Sequence, residues 1–392
     1  MSATVLVLNA GSSSLKFETF GLAGGRLAST MRGQVDGLGA SPRLVVRAAD
    51  GASLADEPLP AALDSPGALD RLLDWLGPRL GPDAPAAVGH RVVHGGTAHA
   101  APVRVDDALL ESLERLVPLA PLHQPHNLAP IRALAAARPG LPQVACFDTA
   151  FHRTQPDEAE LYALPAAIRD AGVRRYGFHG LSYESIARQL PDVSPRAAAG
   201  RTIVAHLGSG VSLCAMLAGR SVATTMGFTA LDGCPMGTRC GQLDPGVVLW
   251  LARERGLSIE AIERLLYRES GLLGLSGVSS DMRALLASDA PGARLAIDHF
   301  TYRVAREVGS LAAALGGLDA LVFTAGIGER SVPIRAAIAA RCAWLGLDLD
   351  ERANEAGGPR LDRPGSRVEA WRLPTHEELA IAERTVAVLG LR

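Results

Sequence analysis

The chain has 392 residues, long enough for two or more domains, and its 48% hydrophobic and 20% charged residues are a globular composition that excludes disorder as the main theme. Lys+Arg number 39 against Asp+Glu 41, so a net charge of -2 offers no basic field for nucleic acid or an anionic membrane, and small molecules are the expected partners. There is no run of eighteen apolar residues, and the N-terminus enters a strand pattern directly, which predicts a cytoplasmic protein that does not span a membrane.

Residues 5–8 read as a buried strand that runs into a small-residue turn, Asn9-Ala10-Gly11-Ser12-Ser13-Ser14-Leu15-Lys16. The glycine lets backbone come close to an anion, the serines add donors, and Lys16 brings a cation on a returning strand. This is not a Walker A loop, because the spacing is absent and no helix pattern follows. Strand continues over 15–20, Gly24-Gly25 turns, and residues 44–46 are a short extended piece. Leu69, Leu72, Leu73 and Leu76 then predict a helix over 68–80.

A strand delivers the polar loop 89–96, which contains His90, Arg91, Val93 and His94. Helix is predicted over 108–116, a proline-interrupted loop over 118–125, and a further helix over 127–137 started by an asparagine cap at Asn127. The apolar strand 143–147 ends on Asp148, where open α/β sheets place their chemistry. A domain boundary is expected near residue 150.

In the second half, the last residues of Tyr176-Gly177-Phe178-His179-Gly180-Leu181-Ser182 are expected to cap a helix through Leu190. Residues 202–213 repeat the opening design of strand, glycine-serine turn and strand, and Gly219-Arg220 echoes Gly24-Gly25-Arg26. The chain therefore reads as duplicated, two related α/β lobes facing a cleft. The glycine-rich loop 232–241 presents Arg239. Helices are expected near 246–255, 259–267 and 293–315, with a serine-capped start at 279–283. A third phosphate-type turn, 326–330, follows the buried strand 321–325 at a helix N-terminus. Residues 374–379 cap a final helix.

Five scattered cysteines with no C-x-x-C spacing read as reduced thiols. His90 and His94 stand four apart and His123 and His126 three apart, but the surrounding Gly and Pro place them on loops and strand ends rather than on a metal-binding helix face.

Taken in order, the segments 9–17, 89–96, 146–152, 177–180, 236–241, 326–329 and 374–379 closely resemble the acetokinase family of carboxylate kinases over nearly the whole chain. The resemblance implies an α/β fold of two duplicated, RNase H-like lobes, that of the acetate and sugar kinase, actin and Hsp70 superfamily, with the active site in the interlobe cleft. The lobes would span 1–149, with a last helix over 378–392 packing back on the first, and 150–377 for nucleotide binding. It implies reversible in-line transfer from ATP to acetate, giving acetyl phosphate and ADP, with Mg²⁺ or in its place Mn²⁺, in a homodimer.

By the same likeness, Arg91 and Arg239 bind the carboxylate and the phosphoryl oxygens, His179 hydrogen-bonds the transferring group, and Asp148 is the catalytic aspartate. A carboxylate acceptor is already ionised, so a metal role suits Asp148 better than a base role. Asn9 and Glu377 match the other magnesium positions. The nucleotide would meet Ser12, Lys16, His206, Leu207, Gly208, Ser209 and Gly210, then Asp281, Met282 and Arg283, then Gly326, Ile327, Gly328, Glu329 and Arg330. Val93, Leu122, Phe178 and Ala230 would form the pocket for the acetate methyl.

Five residues depart from the family pattern: Ser209 for asparagine, Ala230 for proline, Gln242 for aspartate, and Arg330 and His376 each for asparagine. Activity is expected to survive them, since both arginines, Asp148, His179 and Glu377 are in place. The nearest rival is a kinase for propionate or another short-chain carboxylate. A nucleotide-dependent chaperone or filament protein on the same fold leaves the arginines, the histidine and the small apolar pocket unexplained. A zinc hydrolase using His90 and His94 is weaker still.

Overall fold

Strands β1 (Ala3–Ala10), β2 (Ser14–Ala23) and β3 (Arg26–Asp36) form an antiparallel meander that β4 (Arg43–Ala48) and β5 (Ser53–Pro58) extend. Next come β6 (Ala87–Val92), the two-residue β7 (Val103–Arg104) and β8 (Gln143–Phe147). β6 runs parallel to β1 and β8 parallel to β6, and β7 closes the edge, giving the order β5-β4-β3-β2-β1-β6-β8-β7. This computed structural model describes residues 3–11, 13–61, 63–81 and 85–392.

Val5, Leu6, Val7 and Leu8 are all buried, because both faces of β1 are covered. On one face Leu69, Leu72 and Leu76 of the helix Ser65–Leu80 share a core with Leu6 and Leu8. Each such burial contributes about 1.5–3 kcal/mol. The helix Glu377–Leu389 packs over β1 and β6. Gly89 makes that approach possible, since a Cβ there would fall on Thr385 Oγ1 and Ile381 Cγ2.

The chain divides into two units, Met1–Phe151 with His376–Arg392, and His152–Thr375. In the second, β9 (Arg201–Leu207), β10 (Val211–Leu217) and β11 (Arg220–Thr224) make another antiparallel meander, and β12 (Ala320–Thr324) and β13 (Glu369–Arg372) add in parallel. The order β11-β10-β9-β12-β13 matches β3-β2-β1-β6-β8 strand for strand and direction for direction. The duplication read from the two glycine-serine turns is thus a duplication of sheet topology. Among the described residues, no helix is long and apolar enough to cross a membrane.

Three local expectations are corrected. The helix after the proline-rich loop runs Gln124–Ala137, so Asn127 lies inside it and caps nothing. The helix Met282–Leu286 is capped by Asp281, whose side chain accepts from Arg283 N, rather than by a serine. The helix Gly180–Val193 starts directly after His179, which places Ser182 within its first turn.

Candidate active site

In the first unit the parallel strands end on charge. Arg91, near the end of β6, donates from Nε (3.3 Å) and Nη2 (2.5 Å) to the two carboxylate oxygens of Asp148, and from Nη1 to Asn9 Oδ1 at 3.1 Å. Lys16 stands opposite Asn9 across the β1–β2 pair. Burial penalises the Arg91 guanidinium, but Asp148 and Glu377 outweigh it and hold the group charged. Burial pushes the Asp148 carboxyl upward, and the same fork opposes that rise. Burial, then the like charges of Asp148 and Glu378, lift Glu377 to about 7 against the pull of Arg91 and Lys16.

These groups are hard oxygen donors, and a cation beside them would relieve the repulsion that raises Glu377. That suits Mg²⁺, which takes one or two carboxylates and keeps several waters. Among the described residues no cluster of three His, Cys, Asp or Glu side chains could hold a metal by itself, so retained waters and substrate phosphates would have to complete the shell.

The loop after Arg91 is pinned by residues that sequence reasoning missed. Asn127 accepts from Val93 N at 2.8 Å and donates to Ala10 O at 2.6 Å, tying the end of β6 to the end of β1. Gln124 spans His94 N and O, and Thr149 Oγ1 accepts from Gly95 N at 3.0 Å. Val93 is thereby held buried, with Leu122 half-buried. His90 belongs to the core, its Nε2 at 2.8 Å from Gln143 Oε1, and His94 Nδ1 accepts from Gly96 N. Burial pushes both imidazoles down to about 4.

In the second unit the polar centre is built from imidazoles and hydroxyls. His179 adopts a left-handed backbone, φ 60°, immediately before its helix, a conformation histidine tolerates better than most residues. Its Nδ1 lies 2.8 Å from Ser212 Oγ, and its ring stacks on His206 with centroids 4.2 Å apart. His206 Nδ1 in turn bonds Ser182 Oγ at 2.8 Å. Gly210 locates the convergence: a Cβ built there would lie 3.0 Å from His179 Nε2 and 3.7 Å from Arg239 Nη2.

Arg239 rides on a loop secured by backbone bonds. Met236 N bonds Arg239 O, Ser270 N bonds Thr238 O, and Leu272 and Leu273 N bond Met236 and Gly237 O. Its Nη1 donates to Ala230 O at 2.8 Å, so Ala230 contributes a carbonyl that aims the guanidinium. Phe178 is buried, and its carbonyl bonds His152 Nε2 at 3.0 Å.

A cavity of about 750 Å³ in this unit is lined by Gly208, Ser209, Asp281, Met282, Arg283, Gly326, Ile327 and Arg330, drawing on all three expected nucleotide segments. That volume is in the range of small-molecule sites. Ser280, Leu286, Ser331, Val332 and Pro333 complete its wall; sequence reasoning had Ser280 only in a helix cap and named none of the other four.

The remaining expected nucleotide residues are placed otherwise. His206, Leu207, Gly210 and Gly328 do not line the cavity, and Leu207 is core. Glu329 folds back so that Oε1 accepts from Ala325 N at 3.0 Å and Thr375 N at 3.4 Å, and it fills the helix start that was expected to receive phosphate. Lys16 lies in the other unit, and Ser12 falls outside the described residues. Gln242 accepts from Arg303 at 2.5 Å, away from the nucleotide cavity.

A cavity of about 750 Å³ beside a converging imidazole and guanidinium fits a phosphotransferase, and the family the chain matches is one of carboxylate kinases, which use a carboxyl group as acceptor. A model of the acetokinase family matches residues 4–383, and the chain belongs to that family. It is 55% identical over 389 residues to an acetate kinase of Nitrobacter hamburgensis, an alignment covering 98% of this chain and 96% of the relative. Two solved structures share 35% identity with it. A propionate kinase from Francisella tularensis superposes with TM-score 0.92, covering 98% of this chain and 100% of the other. Acetate kinase of Porphyromonas gingivalis superposes with TM-score 0.88, covering 99% and 100%.

Proposed function

We propose that this chain transfers the γ-phosphoryl group of ATP directly and reversibly to acetate, as a Mg²⁺-dependent homodimer in the cytoplasm. The bond from Pγ to the ADP oxygen breaks as a carboxylate oxygen bonds Pγ, and ADP leaves with the electron pair. Acetate is already an anion, so no strong base is needed and the barrier is electrostatic. Arg91 binds the acetate carboxylate by yielding part of the fork it otherwise gives to Asp148, while Arg239 and His179 hold the equatorial phosphoryl oxygens as preorganised donors. Val93 and Leu122 are the first unit's candidates for contact with the methyl group, and Phe178 is the second's.

Asp148, Glu377 and Asn9 would hold Mg²⁺, which readily keeps several of its waters. Bound there, the ion would offset the charge of the β- and γ-phosphates. The nucleoside occupies the 750 Å³ cavity, whose lining includes the cations Arg283 and Arg330. The observation that carries the reading is the approach of His179 Nε2 and Arg239 Nη2 to Gly210, in the same turn as the cavity residues Gly208 and Ser209.

The test is to incubate the protein with ATP, Mg²⁺ and hydroxylamine, offering acetate, propionate or butyrate in turn. Acetyl hydroxamate should form fastest. Propionate should follow within a modest factor, since one methylene is worth about 1–3 kcal/mol in such a pocket. EDTA should stop the reaction and added Mg²⁺ restore it. Failure to form hydroxamate from any of the acids overturns the proposal.

A further inference from the structure

A neutral imidazole carries one N–H, and phosphoryl oxygens are acceptors only, so His179 can serve a phosphoryl group only with its proton on Nε2. The structure holds a pair of hydroxyls behind that ring. Ser212 Oγ lies 2.8 Å from His179 Nδ1 and 2.5 Å from the Tyr183 hydroxyl. Ser212 and Tyr183 are both fully buried. They also sit on rigid elements: Ser212 pairs with His206 across β9 and β10, and Tyr183 is one helical turn beyond His179.

The ring itself has little freedom. It stacks on His206 at an interplanar angle of 16°, and Tyr183 meets the edge of His152 with centroids 5.5 Å apart. A serine hydroxyl has one proton, and it gives that proton best to a neighbour when its own oxygen accepts from a third group, because chained hydrogen bonds polarise one another.

We infer that Ser212 and Tyr183 are positioning residues: Tyr183 O–H donates to Ser212, Ser212 O–H donates to His179 Nδ1, and the imidazole is held as the Nε2–H tautomer facing the space over Gly210. The inference rests on reading this site as the phosphoryl-transfer centre. It requires no proton to leave the chain during turnover. The opposite tautomer would turn a lone pair toward an anion and convert a stabilising contact into a repulsive one.

The test uses full-length protein with ¹⁵N-labelled histidine, at a pH where the ring is neutral. The His179 signals are assigned by their loss in His179→Asn. The wild type should show Nε2 protonated and Nδ1 bare. Ser212→Ala should move population toward the Nδ1–H form, and Tyr183→Phe should do so to a smaller extent.

In turnover, Ser212→Ala should lower kcat about ten- to a hundredfold, less than full loss of a preorganised donor. KM for ATP and acetate should change little, and the double variant should be no worse than Ser212→Ala alone, as for residues acting in one chain. Tyr183→Phe keeps the ring against His152, so it carries the test if Ser212→Ala folds poorly. A wild-type His179 in the Nδ1–H form, or variants with unchanged tautomer, overturns the inference. The spectra need no substrate, so they stand apart from any failure of the acetate assay.

Discussion

Two sheets of the same strand order end in opposite chemistry. In the first unit β6 and β8 run out to Arg91 and Asp148, locked at 2.5 Å, with Asn9 closing the group from β1. In the second, β9 runs out to an imidazole stacked on another imidazole, and the positive charge arrives on a separate loop, aimed by a carbonyl. The topology decides where polar groups gather, at the carboxyl ends of parallel strands, and says nothing of their charge. A buried ion pair makes the first centre dependent on both partners, because removing one leaves an uncompensated charge. In the second centre the guanidinium of Arg239 donates to a neutral group, the Ala230 carbonyl.

The two arginines test that contrast most sharply. Arg239→Ala should lower kcat about 10²- to 10³-fold by removing a preorganised donor, with a nearly unchanged urea midpoint. Arg91→Ala should lower kcat at least as much and also cost roughly 3–5 kcal/mol of stability, since Asp148 is then buried without its partner. Asp148→Asn in the Arg91→Ala background should recover part of the stability and none of the turnover. Equal stability losses at the two arginines would dissolve the distinction between the centres.

Buried histidines give the next effect. Burial lowers His90 in the first unit and His152 in the second to about 4, despite bonds to Gln143 and the Phe178 carbonyl that favour protonation. The folded protein keeps them neutral, whereas the unfolded chain protonates them below its ordinary value near 6.5. Stability is therefore lost as pH falls from about 6.5 to about 4, by roughly 3 kcal/mol for each histidine, and the contribution is fully present above that window.

Glu377, raised to about 7, acts in the opposite sense over part of the same range, so total stability is a poor readout. The slope difference between wild type and His90→Asn, or wild type and His152→Asn, isolates each histidine. Each variant should lose about one proton's worth of pH dependence, and an unchanged slope refutes the burial argument for that residue.

Strand ends were legible in the sequence at Asn9 and Asp148, where apolar runs stop, but not at Arg91, because the loop expected over 89–96 begins inside β6, which runs Ala87–Val92; the repeat was legible because the second glycine-serine turn falls in the same place. Residues that act across the fold were not. Asn127 looks like a cap from its position ahead of an apolar helix, yet its partners are 34 and 117 residues away. His90 and His94 have ligand-like spacing, and only burial shows that they are core. At 279–281 three residues compete to cap one helix. Asp281 wins, while Ser279 Oγ accepts from Asp281 N. The cavity wall at Ser331, Val332 and Pro333 was missed because the glycine turn belongs to the short helix Ala325–Arg330, so the wall extends past it.

The smallest effects lie in the ties that hold strand ends together, where the two units again differ. Asn127 uses both a donor and an acceptor, to Ala10 O and from Val93 N, while Glu329 uses one carboxylate oxygen to accept twice, after β12 and after β13. Asn127→Asp turns the donor into a second acceptor facing a buried carbonyl, at a cost of roughly 2–3 kcal/mol. Glu329→Gln keeps an oxygen for both N–H groups and loses only the charge assistance, about 1 kcal/mol. Urea unfolding of the two variants should therefore rank Asn127→Asp well below Glu329→Gln. If Glu329→Gln is the more damaging, the carboxylate does something its two backbone bonds do not explain, and its expected place among the nucleotide residues has to be restored.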